Sequence, residues 1–241
     1  MPSAVLSVPS QCLLSAATLI FAGSKKTSFT LLQNSPPAVR KTIYLIRHGE
    51  TDYNRLGIVQ GAGVDTALND TGRSQAAAFF RHHGKVPFDK VYISSLRRTR
   101  ETVAHFTETG IPTEVIPELN EINWGILEGQ KPSPEISALF LETVRQWKEG
   151  NLDFAVEKGE TPRQLQARQA VGLEKILSRT EEETILICMH GRAMRSFLCL
   201  LTDRPLERMD DFGHSNVCLY ILHQLEDGFH VVLDNDTEHL R

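Results

Sequence analysis

Thr42-Ile-Tyr-Leu-Ile-Arg-His-Gly-Glu-Thr51 is a short apolar run, rich in β-branched and aromatic residues, that stops abruptly at Arg47 and His48. Runs of this length and composition form buried strands, and open α/β sheets bind ligands at the carboxyl ends of their strands. Arg47 and His48 therefore stand where a site would form. Gly49 permits close backbone approach to a ligand, or an unusual φ, either of which a Cβ would hinder. A lone Arg-His pair is equally the start of a polar loop, so the rest of the chain has to decide between the two.

The 241 residues carry 26 Lys and Arg against 30 Asp and Glu, a net charge of −4. That balance gives no general attraction to nucleic acid or to an anionic membrane surface, so any anion site must be local. The four cysteines, Cys12, Cys188, Cys199 and Cys218, form no Cys-x-x-Cys pair, and the last three lie in apolar runs. They read as buried, inert thiols in a reducing compartment, which implies a cytoplasmic protein. Residues 1–40 hold no acidic residue and one apolar run, Cys12 to Ala22, too short to span a bilayer; Lys25 and Lys26 follow it, whereas a secretory signal places its charge first. This stretch reads as a poorly ordered extension or a misassigned start, with a leader cleaved near Gly23 as the alternative.

From Lys41 onward, strand and helix signals alternate with short connections. The pattern implies a single α/β domain over 41–241, built on a mostly parallel open sheet with helices on both faces. Thr42 to Ile46 is the first strand, and Glu50 to Ala67 reads as a long loop. A helix opens near Leu68, capped by Asn69, Asp70 or Thr71, and runs to about His83; His82 and His83 at its end suit the helix dipole. Val91 to Ser94 is the second strand. The helix after it, ending near Thr109, crowds Arg97, Arg98 and Arg100 at its N-terminus, where cations are disfavoured, so at least one of them serves an anion.

Glu114 to Ile116 is a short strand, and the loop after it, Pro117 to Gly129, carries three carboxylates among apolar residues. Pro134 to Trp147 and Pro162 to Ser178 read as helices, the second capped by Thr161, with Trp147 packing into the core. Thr184 to Met189 is the most apolar strand, and it ends in His190-Gly191, repeating the opening architecture. A helix over Arg192 to Leu201 and an edge hairpin of Val217 to Leu222 with Phe229 to Leu233 complete the chain. His214, His223 and His230 show no recurring partner, and no spacing of His, Cys or carboxylates suggests a metal site.

Brought to one sheet edge, Arg47, His48, Arg98, Glu121 and His190 supply four potential cations and one carboxylate. Such a pocket fits a phosphoryl group, because phosphoryl transfer needs chiefly positioning and charge stabilisation, which arginine forks provide. Neither a metal nor another cofactor is called for.

The chain resembles the histidine phosphatase superfamily, the phosphoglycerate mutase-like enzymes, over Lys41 to Arg241. Leu45-Ile-Arg-His-Gly-Glu-Thr-Asp-Tyr-Asn54 carries the defining motif. Gly57 to Gly61, Leu68 to Ala76, Ser94 to Thr102, Leu119-Asn-Glu121, Gly159-Glu-Thr161 and Met189-His-Gly191 support it in order. The resemblance implies that His48 is a nucleophile forming a phosphohistidine, that Arg47, Arg98 and His190 hold the phosphoryl oxygens, and that Glu121 is general acid and then base. It selects Arg98 among the three arginines by the Ser-x-Leu-x-Arg spacing, with Thr99 a tolerated departure. Asn54, Gln60 and Gly191 match substrate-contact positions, although Asn54 and Gln60 also suit plain loop hydrogen bonds. Glu160 needs only its place at a helix start to explain it.

A neutral imidazole is required for attack, so one nitrogen of His48 should donate to a fixed acceptor while the other faces phosphorus. Burial beside Trp124 would favour a protonated Glu121, and the nearby arginines would oppose it. The compact core and Gly125-Ile-Leu-Glu-Gly129 resemble the phosphatase branch, which implies metal-independent hydrolysis of a small phosphorylated metabolite. Mutase-type transfer, phosphohistidine protein dephosphorylation and non-catalytic binding of a phosphorylated ligand are the alternatives. The residues do not name the substrate or the oligomeric state.

Overall fold

Strand β1 (Lys41–Arg47) pairs in parallel with β4 (Thr184–Met189), Arg47 opposite Met189, and antiparallel with β5 (Leu219–Leu225). The computed structural model describes residues 38–241, and the expectations for the first 37 residues lie outside them. The sheet order is β3-β2-β4-β1-β5-β6, with β2 (Lys90–Ile93), β3 (Thr113–Val115) and β6 (Gly228–Asp236) completing it. β1, β2, β3 and β4 run parallel to one another, and β5 and β6 add an antiparallel hairpin at one edge, as expected.

The period of two in each strand sorts its side chains to two faces. Ile43 and Leu45 of β1, Ile185, Ile187 and Met189 of β4, and Tyr220 and Leu222 of β5 share one core cluster. Ile46, Leu186, Cys188 and Leu219 belong to the other. On the first face lie α5 (Pro134–Lys148), α6 (Pro162–Leu177) and α7 (Gly191–Leu201), whose Trp147, Leu165 and Phe197 enter the first cluster. On the second lie α2 (Asp70–His83), α3 (Arg97–Thr102) and α4 (Ala104–Glu108), through Phe79, Val103 and Phe106. Both faces are covered, so the central strands are apolar on every residue that matters to the core.

Several local expectations need correction. The stretch from Glu50 to Ala67 is not all loop: α1 (Asp52–Leu56) forms inside it, held by a capping box in which Thr51 and Asn54 bond reciprocally and closed by Gly57 at φ 67°. The helix expected to run from Ser95 to Thr109 breaks at Val103, whose φ of −101° and ψ of 9° leave the helical region. Gly49 does not adopt a positive φ; a Cβ on it would lie 2.7 Å from the carbonyl oxygen of Gly72, so it lets α2 approach the end of β1 rather than a ligand. His83 is no cation for the helix end. It packs against Phe79, Tyr44 and His239, and burial pushes its pKa down to about 4.

Cys188, Cys199 and Cys218 are free and buried, as expected. Trp147 is 2% exposed and donates its indole N–H to the Phe154 carbonyl. No helix among the described residues is long and apolar enough to cross a membrane.

Candidate active site

β1 and β4 end side by side, which places His48 beside His190 with ring centroids 5.3 Å apart. Both residues are buried, at 2% and 0% exposure. The His48 N–H donates to the Met189 carbonyl, and its own carbonyl accepts from Asn216 Nδ2 at 3.0 Å, so the backbone of the motif is fixed from both neighbours. Thr102 of α3 ties in as well: its hydroxyl accepts from the Gly49 N–H and donates to the Arg98 carbonyl.

The His48 ring has a defined tautomer. Nδ1 lies 2.7 Å from the Gly49 carbonyl, which can only accept, so Nδ1 carries the proton and Nε2 keeps its lone pair. Burial, and then the charges of Arg98 and Arg47, hold the pKa of His48 well below the ordinary value. The side chain is thus a neutral imidazole with one nitrogen committed to a fixed acceptor. These are the requirements for a nitrogen nucleophile.

His190 is engaged at both nitrogens. Nδ1 accepts from Arg98 Nε at 3.1 Å and Nε2 lies 2.8 Å from the Ser94 hydroxyl, so the proton sits on Nε2. Burial, then Arg98 and His48, depress its pKa too. Ser94 in turn contacts the Thr99 hydroxyl, which donates to the Leu96 carbonyl. Thr99 is therefore a member of a closed buried network, and the departure from the expected small residue is accommodated there.

Arg98 is fully buried. Its remaining contacts are the carbonyls of Val64, at 2.7 Å, and Gly61, at 3.2 Å, which leaves one N–H on each terminal nitrogen uncommitted. Arg47 has a single polar partner among the described residues, Nδ1 of His214 at 3.1 Å, and its Nε is buried with none. Burial lowers the pKa of both guanidinium groups, that of Arg98 to about 10, so both remain cations at neutral pH. Glu121 is the foremost negative charge acting on each. Arg97, by contrast, pairs with Glu101 on the surface, and Arg100 is exposed.

Glu121 sits at the N-terminus of α7. One carboxylate oxygen accepts from the Ala193 and Ile122 N–H groups at 2.8 and 2.9 Å, and the other from the Arg192 N–H at 3.1 Å. The carboxylate satisfies donors that a helix start leaves without partners. Arg47, His48, Glu121, Asn54, Gln60 and Gly191 line one cavity of about 420 Å³. Arg98 and His190 are not part of its lining, although the His190 ring stands 5.3 Å from that of His48. Asn54 Oδ1 accepts from Asn216, and Gln60 bridges the hydroxyls of Thr51 and Thr66, so both amides serve the loop's own bonding. Gly191 gives Arg47 and His214 room, since a Cβ there would lie 3.0 Å from the His214 ring.

Three residues escaped the reading of the sequence. His214 and Asn216 come from the segment before β5 and reach Arg47, His48 and Asn54. Arg168 on α6 donates to the carbonyls of Glu118, Asn120 and Glu121 and pairs with both oxygens of Glu160, so it holds the loop that presents Glu121. No local spacing announces any of these contacts. Among the described residues no three His, Cys, Asp or Glu side chains converge to hold a metal ion.

Residues 43–237 match the family model for the histidine phosphatase superfamily, branch 1. The chain is 31% identical over 183 residues to fructose-2,6-bisphosphatase TIGAR B of Danio rerio, covering 74% of this chain and 67% of that one. It is 29% identical over 201 residues to phosphoserine phosphatase 1 of Hydrogenobacter thermophilus, covering 82% and 93%. Among solved structures, YhfR of Bacillus stearothermophilus superposes with a TM-score of 0.73 at 28% identity, over 83% of this chain and all of that one. The α-ribazole phosphatase of Shigella flexneri gives 0.71 at 25% identity, over 81% and 96%. With this match and a buried His/Arg cluster at the paired ends of β1 and β4, the chain belongs to the histidine phosphatase superfamily, branch 1, and is an enzyme of the phosphatase class.

Proposed function

We propose that the protein hydrolyses small phosphomonoesters without a metal, through a phosphohistidine on Nε2 of His48. The observation that carries this reading is the fixed tautomer of His48, with Nδ1–H on the Gly49 carbonyl, beside two buried guanidinium groups that no carboxylate among the described residues pairs directly. Unpaired buried cations are costly, and a phosphoryl group supplies the compensating charge.

In the first step the Nε2 lone pair attacks phosphorus, the bond to the leaving oxygen breaks, and Glu121 gives that oxygen a proton. In the second step water attacks the phosphohistidine, Glu121 takes the water proton, and Nε2 departs with its lone pair. Arg47 and Arg98 hold the equatorial oxygens as charge builds. His190 keeps Arg98 oriented and presents a neutral ring to His48. Asn54 and Gln60 shape the loop that borders the phosphoryl position, and Gly191 gives Arg47 space there.

The test is a rapid-quench experiment with a radiolabelled phosphomonoester in the presence of a chelator. The label should appear on His48, in an acid-labile and base-stable form, before phosphate is released. In heavy-oxygen water the product phosphate should carry the heavy oxygen, whereas transfer to an added alcohol would identify a mutase. A His48→Ala variant that turns over at the wild-type rate would remove the mechanism.

A further inference from the structure

The cavity above His48 has two unlike ends. Its floor holds Arg47, His48 and Glu121, and its walls are apolar. α5 presents Ile136 and Phe140, four residues apart and so on one helix face, with Leu141 also lining the cavity. Opposite, α1 and the chain after it contribute Tyr53, Ile58 and Val59. Trp124 closes the back. It is held between Phe140 and Trp147 with ring centroids 5.0 Å from each, so that wall is pre-formed.

Among the described residues no lysine lines the cavity. Arg192 does: its guanidinium gives one bond to Asp210, at 2.6 Å, an acceptor it shares with Arg195, and lies over Trp124 and Trp147 at 5.9 and 5.4 Å from their centroids. The histidines on the wall, His48 and His214, have pKa values depressed by burial. Apart from Arg47 on the floor, Arg192 is the one guanidinium among the described residues that line the cavity. Leu141, meanwhile, stands 66% exposed at the mouth, a large apolar surface placed where a ligand would cover it.

We propose that the alcohol moiety of the substrate is apolar and of about the size of an aromatic ring. The inference rests on the reading of this site as a phosphomonoesterase. Apolar walls with a polar floor orient such an ester with its phosphate on Arg47 and its ring against Trp124 and Phe140. A small polyol would instead set its hydroxyl groups against these apolar side chains, at a desolvation cost.

The experiment compares kcat/KM for three esters of primary alcohols, so that leaving-group chemistry is similar: 2-phenylethyl phosphate, glycerol 3-phosphate and 3-phosphoglycerate. One methylene in an apolar pocket is worth about tenfold or more, so 2-phenylethyl phosphate should exceed glycerol 3-phosphate by at least about tenfold. Leu141→Lys, a change at an exposed position, should shift the ratio of 3-phosphoglycerate to 2-phenylethyl phosphate several-fold toward the acid. Equal or reversed ranking with phosphate still released overturns the apolar-alcohol assignment and leaves the phosphatase reading intact. An unmoved ratio in Leu141→Lys overturns the placement of the alcohol at this rim. No release from any of the three, nor from p-nitrophenyl phosphate, overturns both.

Discussion

Nη1 of Arg47 and Nδ1 of His214 lie 3.1 Å apart, joining a strand-end arginine to a histidine 167 positions further along the chain. Arginine can only donate, so Nδ1 accepts and the His214 proton sits on Nε2. Burial, followed by the charge of Arg47, pushes the His214 pKa down to about 3. The ring is therefore a neutral acceptor that aims the guanidinium without cancelling its charge. A carboxylate there would hold Arg47 as firmly but would compete with phosphate for it.

His214→Ala should accordingly lower kcat/KM by about ten- to a hundredfold, the range for losing one hydrogen bond to a charged group. His214→Asn, whose side-chain oxygen falls near the position of Nδ1, should restore most of the loss. His214→Asp should keep Arg47 ordered but weaken competitive inhibition by inorganic phosphate. Equal phosphate inhibition constants in wild type, Ala and Asp variants would show that Arg47 needs no such partner.

The buried histidines also set the response to pH. His48, His190 and His214 all have folded-state pKa values below the ordinary 6.5. Below that value the unfolded chain binds more protons than the native one, so stability is full above about pH 6.5 and falls as the pH is lowered toward 3. Urea denaturation at pH 7 and pH 5 should give a lower midpoint at pH 5. Isotope-edited histidine NMR should show His48 protonated on Nδ1 and His190 on Nε2, with neither ring charged at pH 6. A His48 ring that titrates near 6.5 would contradict the burial and the tautomer together.

Gly72 offers a test of how the motif is supported. A Cβ there would lie 2.1 Å from the Glu50 carbonyl oxygen, and backbone cannot yield as a side-chain end can. Gly72→Ala should destabilise the protein by about 1–3 kcal/mol, the usual range for overpacking, and should reduce kcat as well because Glu50 adjoins Gly49 and His48. Thermal unfolding and turnover measured on the same sample would decide this. Gly110→Ala is the control, since nothing lies within 4 Å of a Cβ there, although its φ of 92° is itself unfavourable to a side chain.

The strands and the catalytic pair were legible because they rest on local rules. Thr184 to Met189 announces a buried strand by its apolar run, and β1 does the same, so the meeting of His48 and His190 follows once the two pair in parallel. Asn69, one of three candidates, and Thr161 cap their helices through signals a few residues long. What escaped depends on contacts between distant segments. Gly49 promised a ligand contact, yet its neighbour is Gly72. His214 lacked a partner in every sequence window, because its partner is Arg47. Glu160 looked like a helix-start carboxylate, and it does stand just ahead of α6, but its bonds go to Arg168. The break at Val103 has no signal in the sequence that we can name.

Arg168 gives the last prediction. Its guanidinium holds the Glu118, Asn120 and Glu121 carbonyls while Glu160 neutralises it, so it fixes the backbone from which Glu121 projects. It acts as a positioning residue through Glu121 and does not line the cavity. Lysine would keep the charge but lose the planar fork that reaches all three carbonyls. Arg168→Lys should therefore lower kcat by about tenfold or more for an alkyl phosphate, whose poor leaving group needs the proton from Glu121. For p-nitrophenyl phosphate, whose leaving group departs without one, the loss should be much smaller, and KM should change little for either. Glu160→Gln should reproduce the pattern more weakly, since it leaves the fork in place but removes its counter-charge. A uniform loss across leaving groups would mean that Arg168 supports the fold and not the acid.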